Sequence, residues 1–290
     1  MPITSMKRCG LRMGRLEAPL PDGFGGIHFT DLAAGVFHWQ AGRLTHAVVD
    51  RPMVGGLART RERNLVASGP AVDVFDIRRG GSGEHVGSLL TTEHVLAKRG
   101  SQPWFNDIAF DDQGRLWCGV IRRNSKGTPI PGELYVYDMQ GNLSAVHTDI
   151  YPNGIAFSAD GGTAYCSDTF RRRILTFDTT NLSERGQIDL SKVPKGYPDG
   201  LAFDLEGHLW VAMWQSPLIV RISQDGIIDQ LLDVGAWAYS LAFEPSTSST
   251  LWVTTGPNSD QATDSGDLLR MDVAIQGLAA CDGPHLTDFR

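Results

Sequence analysis

The sequence predicts an all-β protein with the architecture of a six-bladed β-propeller, and three observations support this. A short phrase recurs along the chain, as YPNGIAF at 151–157 and YPDGLAF at 197–203. Related units, each an apolar strand, a polar turn and a second strand, recur at a spacing of 38 to 51 residues. Helical periodicity is almost absent. Multi-stranded repeats of this length are typical of propeller blades, whereas a β-sandwich does not need its strands to recur in phase.

Six copies of the unit follow one another. Four are clear, at 105–120, 152–168, 198–213 and 238–255, and two are weaker, at 17–32 and 54–69. A third, alternating strand follows each second strand, in the segments GVFHWQ, AVDVFD, GELYVYD, RRILTFD, PLIVRIS and DLLRMD. We therefore expect consecutive antiparallel meanders in a single domain over residues 1–290. The ring should close by pairing a strand from one terminus with a strand from the other.

Composition limits the partners of this protein. Charged residues make up 20% of the 290 residues and the net charge is −7, so the chain lacks the basic character of proteins that bind nucleic acid or anionic membranes. The first twenty residues contain no continuous apolar stretch. A cytoplasmic protein acting on a small molecule is expected, with its oligomeric state open. The four cysteines show no CxxC pairing and are expected to be free thiols, with Cys118 and Cys166 buried.

Equivalent positions of the six repeats predict a metal site. In a propeller the innermost strand of each blade lines the central channel, so the residue just before that strand should lie at the channel mouth. These residues are Glu17, Gly55, Asn106, Asn153, Asp199 and Tyr239. Four of them carry oxygen donors, and converging oxygen donors suit a hard divalent cation. Ca²⁺ is the first choice, with Zn²⁺, Mg²⁺ or Mn²⁺ as alternatives. Turn formation is the competing explanation for each single Asn-Gly or Asp-Gly pair.

Aromatic residues occupy a second set of equivalent positions, two residues before the predicted mouth residues. They are Trp104, Tyr151, Tyr197 and Trp237. We expect these four residues to form an aromatic collar above a polar centre and, with the mouth residue Tyr239, to contact the substrate. The alternative is that each one packs in the core, as single aromatics at strand starts usually do.

Several of these motifs carry a resemblance that spans nearly the whole chain. The segments are EAP at 17–19, FNDIAFDDQGRLWCG from 105, PNGIAFSADGGTAYCSD from 152 and PDGLAFDLEGHLWVA from 198. They resemble the senescence marker protein, gluconolactonase, regucalcin and luciferin-regenerating enzyme family. The resemblance implies that Glu17, Asn153 and Asp199 are metal ligands and that Asn106 faces the substrate.

The resemblance also implies a reaction. In such enzymes the cation polarises the carbonyl of a lactone or ester, and the aspartate, here Asp199, is the candidate general base for the attacking water. Because a metal lowers the basicity of a carboxylate, the alternative is that the cation activates the water and Asp199 only holds it. Two departures favour a more apolar substrate than a sugar lactone. Trp104 replaces an arginine typical of sugar lactonases, and the tryptophan that usually follows the E-x-P opening is absent.

Other chemistries find little support. The chain has no G-x-S-x-G elbow for a serine nucleophile, and no histidine occupies a repeat-equivalent position near the candidate ligands. The leading hypothesis is a metal-dependent lactonase or esterase that uses Asp199 and Asn106. Two alternatives stay open, a metal-stabilised propeller that binds a ligand without catalysis and a non-hydrolytic biosynthetic enzyme on the same fold.

Overall fold

Six four-stranded antiparallel sheets form the protein. The computed structural model describes residues 3–78, 82–95, 98, 100–245, 249–257 and 264–289. The strands found within these ranges combine into six sheets, each a propeller blade. The predicted six-bladed all-β architecture is therefore confirmed, whereas the assignment of residues 1–290 to a single domain stays a prediction. No helix in the described ranges has the length and apolar character needed to cross a membrane.

Consecutive strands along the chain build blades 1 to 5 from the inside outwards, and blade 6 takes its outermost strand from the start of the chain. Blade 1 contains β2 (Leu16–Pro21), β3 (Gly26–Asp31), β4 (Gly35–Gln40) and β5 (Arg43–Val48). Blade 2 contains β6 (Leu57–Arg59), β7 (Leu65–Ala67), β8 (Ala71–Asp76) and β9 (Glu84–Thr91). Blade 3 contains β10 (Ser101–Phe110), β11 (Leu116–Asn124), β12 (Pro129–Tyr137) and β13 (Leu143–Ile150).

The second half of the chain repeats this order. Blade 4 contains β14 (Pro152–Phe157), β15 (Thr163–Asp168), β16 (Arg173–Asp178) and β17 (Glu184–Asp189). Blade 5 contains β18 (Tyr197–Phe203), β19 (Leu209–Trp214), β20 (Leu218–Ile222) and β21 (Ile228–Asp233). Blade 6 contains β22 (Trp237–Phe243), β23 (Thr250–Gly256), β24 (Leu268–Asp272) and β1 (Ser5–Arg8). Two short 3-10 helices span Thr169–Arg171 and Leu286–Asp288.

The ring closes in blade 6, where the first strand of the chain pairs with the last. Strand β1 is antiparallel to β24, with Ser5 opposite Asp272 and Arg8 opposite Leu269. This pairing covers the backbone edge that β24 would otherwise expose. The predicted closure by strands from the two termini is confirmed.

A fourth, outermost strand in blades 1 to 5 was not predicted, because the sequence pattern indicated only three strands in each. Strand β17, with the segment ERGQID, is mostly exposed and has a single apolar side chain, and β13 is buried only at its last residue. Their alternation is therefore weak in the sequence. The turn of the last predicted repeat, at 246–248, lies outside the described residues.

Buried tryptophans that bond to acidic side chains recur in the core between the blades. An indole N–H donates to a turn carboxylate in three blades, from Trp117 to Asp111 at 2.9 Å, from Trp210 to Asp204 at 2.8 Å and from Trp252 to Glu244 at 2.7 Å. In blades 3 and 5 this bond explains the repeated D-x-x-G-x-L-W pattern. Cys118 and Cys166 are buried among these layers, as predicted, and neither forms a disulfide.

The acidic side chain of this unit should be important for stability. Asp204 is fully buried and accepts hydrogen bonds from Trp210 Nε1 and Arg221 Nε, both at 2.8 Å, and from the N–H groups of Glu206 and His208 at 3.0 Å. We expect Asp204→Ala to lower the free energy of unfolding by about 3 to 5 kcal/mol, since it leaves these donors without their acceptor. Equilibrium denaturation in urea measures the change.

Asp160→Ala is the matched control, because Asp160 is exposed in the corresponding turn of blade 4. It should cost less than about 1 kcal/mol. Asp204→Asn provides a milder second variant in case the alanine variant does not fold. Equal small losses in the Asp204 and Asp160 variants would contradict the prediction.

Candidate active site

The predicted mouth residues lie at β-bulges in the inner strands. Register shifts between β10 and β11, β14 and β15, β18 and β19, and β22 and β23 enclose Asn106, Asn153, Asp199 and Tyr239. Glu17 begins the corresponding shift in β2. A bulge leaves a residue outside the ladder and redirects its side chain. The expectation that these residues precede their strands is therefore wrong for five of the six positions, and only Gly55 lies before its strand, β6.

All six equivalent positions nevertheless line one cavity of about 490 Å³ at the mouth of the central channel. The sequence repeat thus correctly grouped side chains that lie far apart along the chain. The sequence repeat did not predict the β-bulges that direct these side chains into the cavity.

The glycines of the repeated phrase are needed for close packing at the axis. A Cβ atom added at Gly154 would collide with the carbonyl oxygen of Asp199, and one at Gly200 would collide with Ser240. Both glycines lie inside inner strands, β14 and β18. The alternative of turn formation is therefore wrong for Asn153-Gly154 and Asp199-Gly200, and the glycines instead let neighbouring inner strands approach.

Asn106 is oriented by its neighbours in the cavity floor. Its Nδ2 donates to the carbonyl oxygen of Pro152 and to Asn153 Oδ1, both at 3.1 Å. Its Oδ1 lies over Gly55, where any added Cβ atom would collide with it. Gly55 thus provides space for the Asn106 side chain, whose oxygen is left to accept a hydrogen bond from a ligand.

Two buried carboxyl groups, Glu17 and Asp199, belong to the same floor. Asp199 is only 3% exposed, and within the described part of the chain its Oδ1 has no hydrogen-bond partner. Burial, followed by repulsion from Asp107, raises the pKa of Asp199 well above its usual range. Burial and then repulsion from Asp199 and Asp107 likewise raise the pKa of Glu17. Both groups are therefore poorly stabilised as anions by the protein alone.

Asp107 is a third carboxyl group at the channel, which the sequence did not single out. Burial raises its pKa to about 7, although the N–H groups of Ile108 and Ile155 favour the charged form. It lines a second cavity of about 200 Å³ below the first. The residue directly follows Asn106 at the bulge of β10, so ordinary strand alternation gives no sign that both residues belong to the channel.

Blade 4 holds the backbone that carries Asp199. Ser167 Oγ donates to the carbonyl oxygen of Asp199 at 2.7 Å, and Thr169 Oγ1 donates to the carbonyl oxygen of Pro198 at 3.0 Å. Both donors are buried. These contacts fix the start of β18 against the neighbouring blade and restrict where the Asp199 carboxylate can lie.

The structure brings only part of the predicted aromatic collar to the cavity. Trp104 and Tyr151 line the cavity, and Trp104 Nε1 donates to the carbonyl oxygen of Met53 at 2.9 Å. The residues that line the cavity do not include Tyr197 or Trp237. Tyr197 instead packs against Phe170, with ring centroids 5.9 Å apart.

Two aromatic residues that the sequence analysis missed complete this wall. Phe170 and Trp214 line the cavity, and their ring centroids are 6.0 Å apart. Phe170 also meets Tyr151 edge to face at 4.8 Å and 87°. Phe170 lies in the 3-10 helix after β15 and Trp214 ends β19, so neither belongs to the repeated phrase. We call Tyr151, Phe170 and Trp214 the aromatic wall.

The residues at the floor fit a hard divalent cation. Across the described ranges, no group of three or more His, Cys, Asp or Glu side chains is arranged to hold a metal ion. The candidate set instead combines two carboxylates, Glu17 and Asp199, with the amide oxygen of Asn153. A cation would give Asp199 Oδ1 the partner that it lacks and would offset the burial of both carboxylates.

Comparison with known proteins agrees with this architecture. Residues 24–257 match the model of the SMP-30/Gluconolactonase/LRE-like region. A pentonolactonase of Haloferax volcanii is 31% identical over 189 residues, which cover 60% of this chain and 64% of that protein.

Two solved structures have the same fold. A luciferin-regenerating enzyme superposes with a TM-score of 0.82 at 21% identity and covers 97% of this chain and 99% of its own. Regucalcin from Agrobacterium tumefaciens, described as a calcium-binding protein, superposes with a TM-score of 0.74 at 22% identity and covers 93% of this chain and 94% of its own. Because the family model matches most of the sequence, this chain belongs to the SMP-30/gluconolactonase/LRE-like family.

Proposed function

We propose that this protein is a divalent-metal-dependent hydrolase that opens a lactone or a related ester. The observation that carries the proposal is the buried Asp199 carboxylate, whose Oδ1 has no partner within the described residues and which shares one cavity with Glu17 and Asn153. Unpaired carboxylates are costly to bury, so a site that retains them is a candidate for chemistry. Family membership favours lactone hydrolysis.

Glu17, Asn153 and Asp199 would hold the cation, with Ca²⁺ as the first choice because all three supply oxygen donors. The calcium-binding description of the regucalcin relative supports this choice. When bound, the cation supplies polarisation of the substrate carbonyl.

The side chains at the floor have separate tasks in this proposal. Asp199 accepts a proton from the attacking water through the carboxylate oxygen that does not hold the cation. Asn106 donates to Pro152 and Asn153, so its Oδ1 is the atom that accepts a hydrogen bond from the substrate or the water. The hydrogen bonds from Ser167 and Thr169 keep the Asp199 backbone in register during this transfer.

The cavity walls favour a substrate that is more apolar than a sugar lactone. The aromatic wall gives an apolar surface of edge-to-face rings on blades 4 and 5, and Trp104 lies on blade 3. Aromatic rings of this kind pack against apolar or aromatic groups and offer few hydrogen bonds to sugar hydroxyls. We therefore propose a lactone or ester with an apolar or aromatic substituent.

Chelation should abolish turnover. We expect treatment with EDTA followed by desalting to lower the hydrolysis of a panel of lactones by about 100-fold or more, and Ca²⁺ or another divalent ion to restore it, because polarisation of the carbonyl is lost. Proton release with a pH indicator measures the rate. Asp199→Asn should give a similar loss that metal does not repair, whereas the exposed control Asp160→Asn should keep full activity. Turnover that survives chelation, or a product with the mass of the substrate, would contradict a metal-dependent hydrolase.

The same substitution should stabilise the metal-free protein. At pH 8 the Asp199 carboxylate is charged in the unfolded chain, and its raised pKa in the folded state means that folding disfavours the anion. Asp199→Asn should therefore raise the free energy of unfolding of the chelated protein by about 1 to 2 kcal/mol. As the pH rises above about 4, this advantage of the variant over the unsubstituted metal-free protein should grow, because more of the unfolded chains carry the Asp199 charge. Urea denaturation at several pH values with EDTA tests this, and a less stable variant would refute it.

Removal of one ring from the aromatic wall should change selectivity. Phe170 is 41% exposed and contacts Tyr151 and Trp214, so Phe170→Ala removes substrate contact area at little cost to the core. We expect kcat/KM for aryl-substituted lactones to fall by about tenfold, which corresponds to roughly 1.4 kcal/mol, while kcat/KM for gluconolactone changes less than about twofold. An equal loss for both substrates would show that Phe170 does not select apolar groups.

A further inference from the structure

Blade 3 extends beyond the channel mouth and forms one wall of the cavity of about 490 Å³. Strand β10 begins five residues before Asn106, whereas β14 begins one residue before Asn153 and β18 two residues before Asp199. At about 3.3 Å per residue the extension of β10 is roughly 16 Å long. The extended part pairs with the end of β11, from Ser101 opposite Asn124 to Phe105 opposite Val120. The end of β11 continues through the turn at 124–128 into β12, and this β11–β12 hairpin places arginines at the rim.

Two consecutive arginines on this hairpin have different environments. Arg122 is 1% exposed, and its Nε donates to Glu133 Oε2 at 2.7 Å. Glu133 also pairs with Lys98 at 2.5 Å. The charge of Arg122 is therefore compensated inside the blade.

Arg123 is exposed and lines the cavity. Its Nη1 donates to the carbonyl oxygen of Gly127 at 3.0 Å, and among the described residues no carboxylate lies within ion-pair distance of its guanidinium. The turn of the hairpin does not depend on this bond, because Asn124 Oδ1 accepts from the N–H groups of Lys126 and Thr128 at 2.9 and 3.0 Å. Arg123 thus presents an unneutralised, fork-shaped donor to whatever occupies the cavity.

We propose that Arg123 binds a carboxylate carried by the substrate, at the rim of the cavity and away from the reacting ring. This inference rests on the proposed lactone hydrolysis and narrows its substrate class. Guanidinium groups match carboxylates in shape and donate two parallel hydrogen bonds. Glu17 and Asp199 balance the charge of the cation that they would hold, whereas Arg123 offers an uncompensated positive charge at the rim, so the anionic end of the substrate points to Arg123 while the ring carbonyl points to the floor. The aromatic wall holds the apolar part between them.

Binding of lactams provides a test that does not depend on turnover. The probes are a phenyl-substituted γ-lactam that bears a carboxylate and its neutral primary amide, titrated by calorimetry in the presence of CaCl₂. We expect the unsubstituted protein to bind the acid at least about tenfold more tightly than the amide, because the acid gains charge-assisted hydrogen bonds. Arg123→Gln should bind both probes equally and keep its affinity for the amide. Arg123→Lys should keep part of the preference, because it retains the charge but not the fork.

Lys126→Gln is the matched control, since it removes one positive charge from the same hairpin at a residue that does not line the cavity. It should retain the preference for the acid. Equal binding of acid and amide by the unsubstituted protein, no detectable binding of either, or an equal loss of preference in the Arg123 and Lys126 variants would overturn the proposal.

Hydrolysis assays with the corresponding lactones distinguish the proposed role of Arg123 from the proposed hydrolase function. If the acid preference depends on Arg123 but no lactone is hydrolysed, the hydrolase assignment fails and the carboxylate site stands. If neutral lactones are hydrolysed and Arg123→Gln leaves the acid preference intact, the hydrolase stands and the role of Arg123 fails.

Discussion

Close approach of the inner strands at the propeller axis is the constraint on which the rest of the structure depends. At Gly56 an added Cβ atom would lie 2.6 Å from the amide nitrogen of Ile108, and the corresponding positions Gly154 and Gly200 have no room for a side chain either. Because the inner strands approach this closely, the residues at their β-bulges lie at the same height along the propeller axis. The side chains of those residues must then share a single cavity, whatever their separation along the chain.

This convergence places carboxyl groups where the protein by itself stabilises them poorly. Burial raises the pKa of Glu17, Asp107 and Asp199, and the three groups also repel one another. Stability elsewhere compensates for this local cost, through the apolar layers between blades, the indole–carboxylate bonds and the closure of the ring by β1. A scaffold that stays folded despite this cost can keep buried carboxylates in positions that suit a cation.

The polar floor and the walls of the cavity come from different segments of the blades. The polar floor comes from equivalent bulges in the inner strands, and it fits the chemistry expected of the family. The aromatic wall and Arg123 come from segments that differ between blades, namely the 3-10 helix after β15, the end of β19 and the long hairpin of blade 3. The segments that form the walls can therefore vary without a change in the bulges that form the floor.

The sequence by itself determined the number of blades, the closure of the ring and the set of positions that meet at the channel mouth. The sequence could determine these features because each repeat encodes the same local strands and turns. In a radially symmetric fold, residues at the same place in each repeat then lie at the same distance from the axis. Exposed outer strands such as β17 were missed because solvent imposes no apolar pattern on them. Only the tertiary structure decided that Asp107 joins the channel, that Tyr197 packs against Phe170 and that Phe170, Trp214 and Arg123 line the cavity. These outcomes depend on bulges and on contacts between blades, which no local pattern in the chain records.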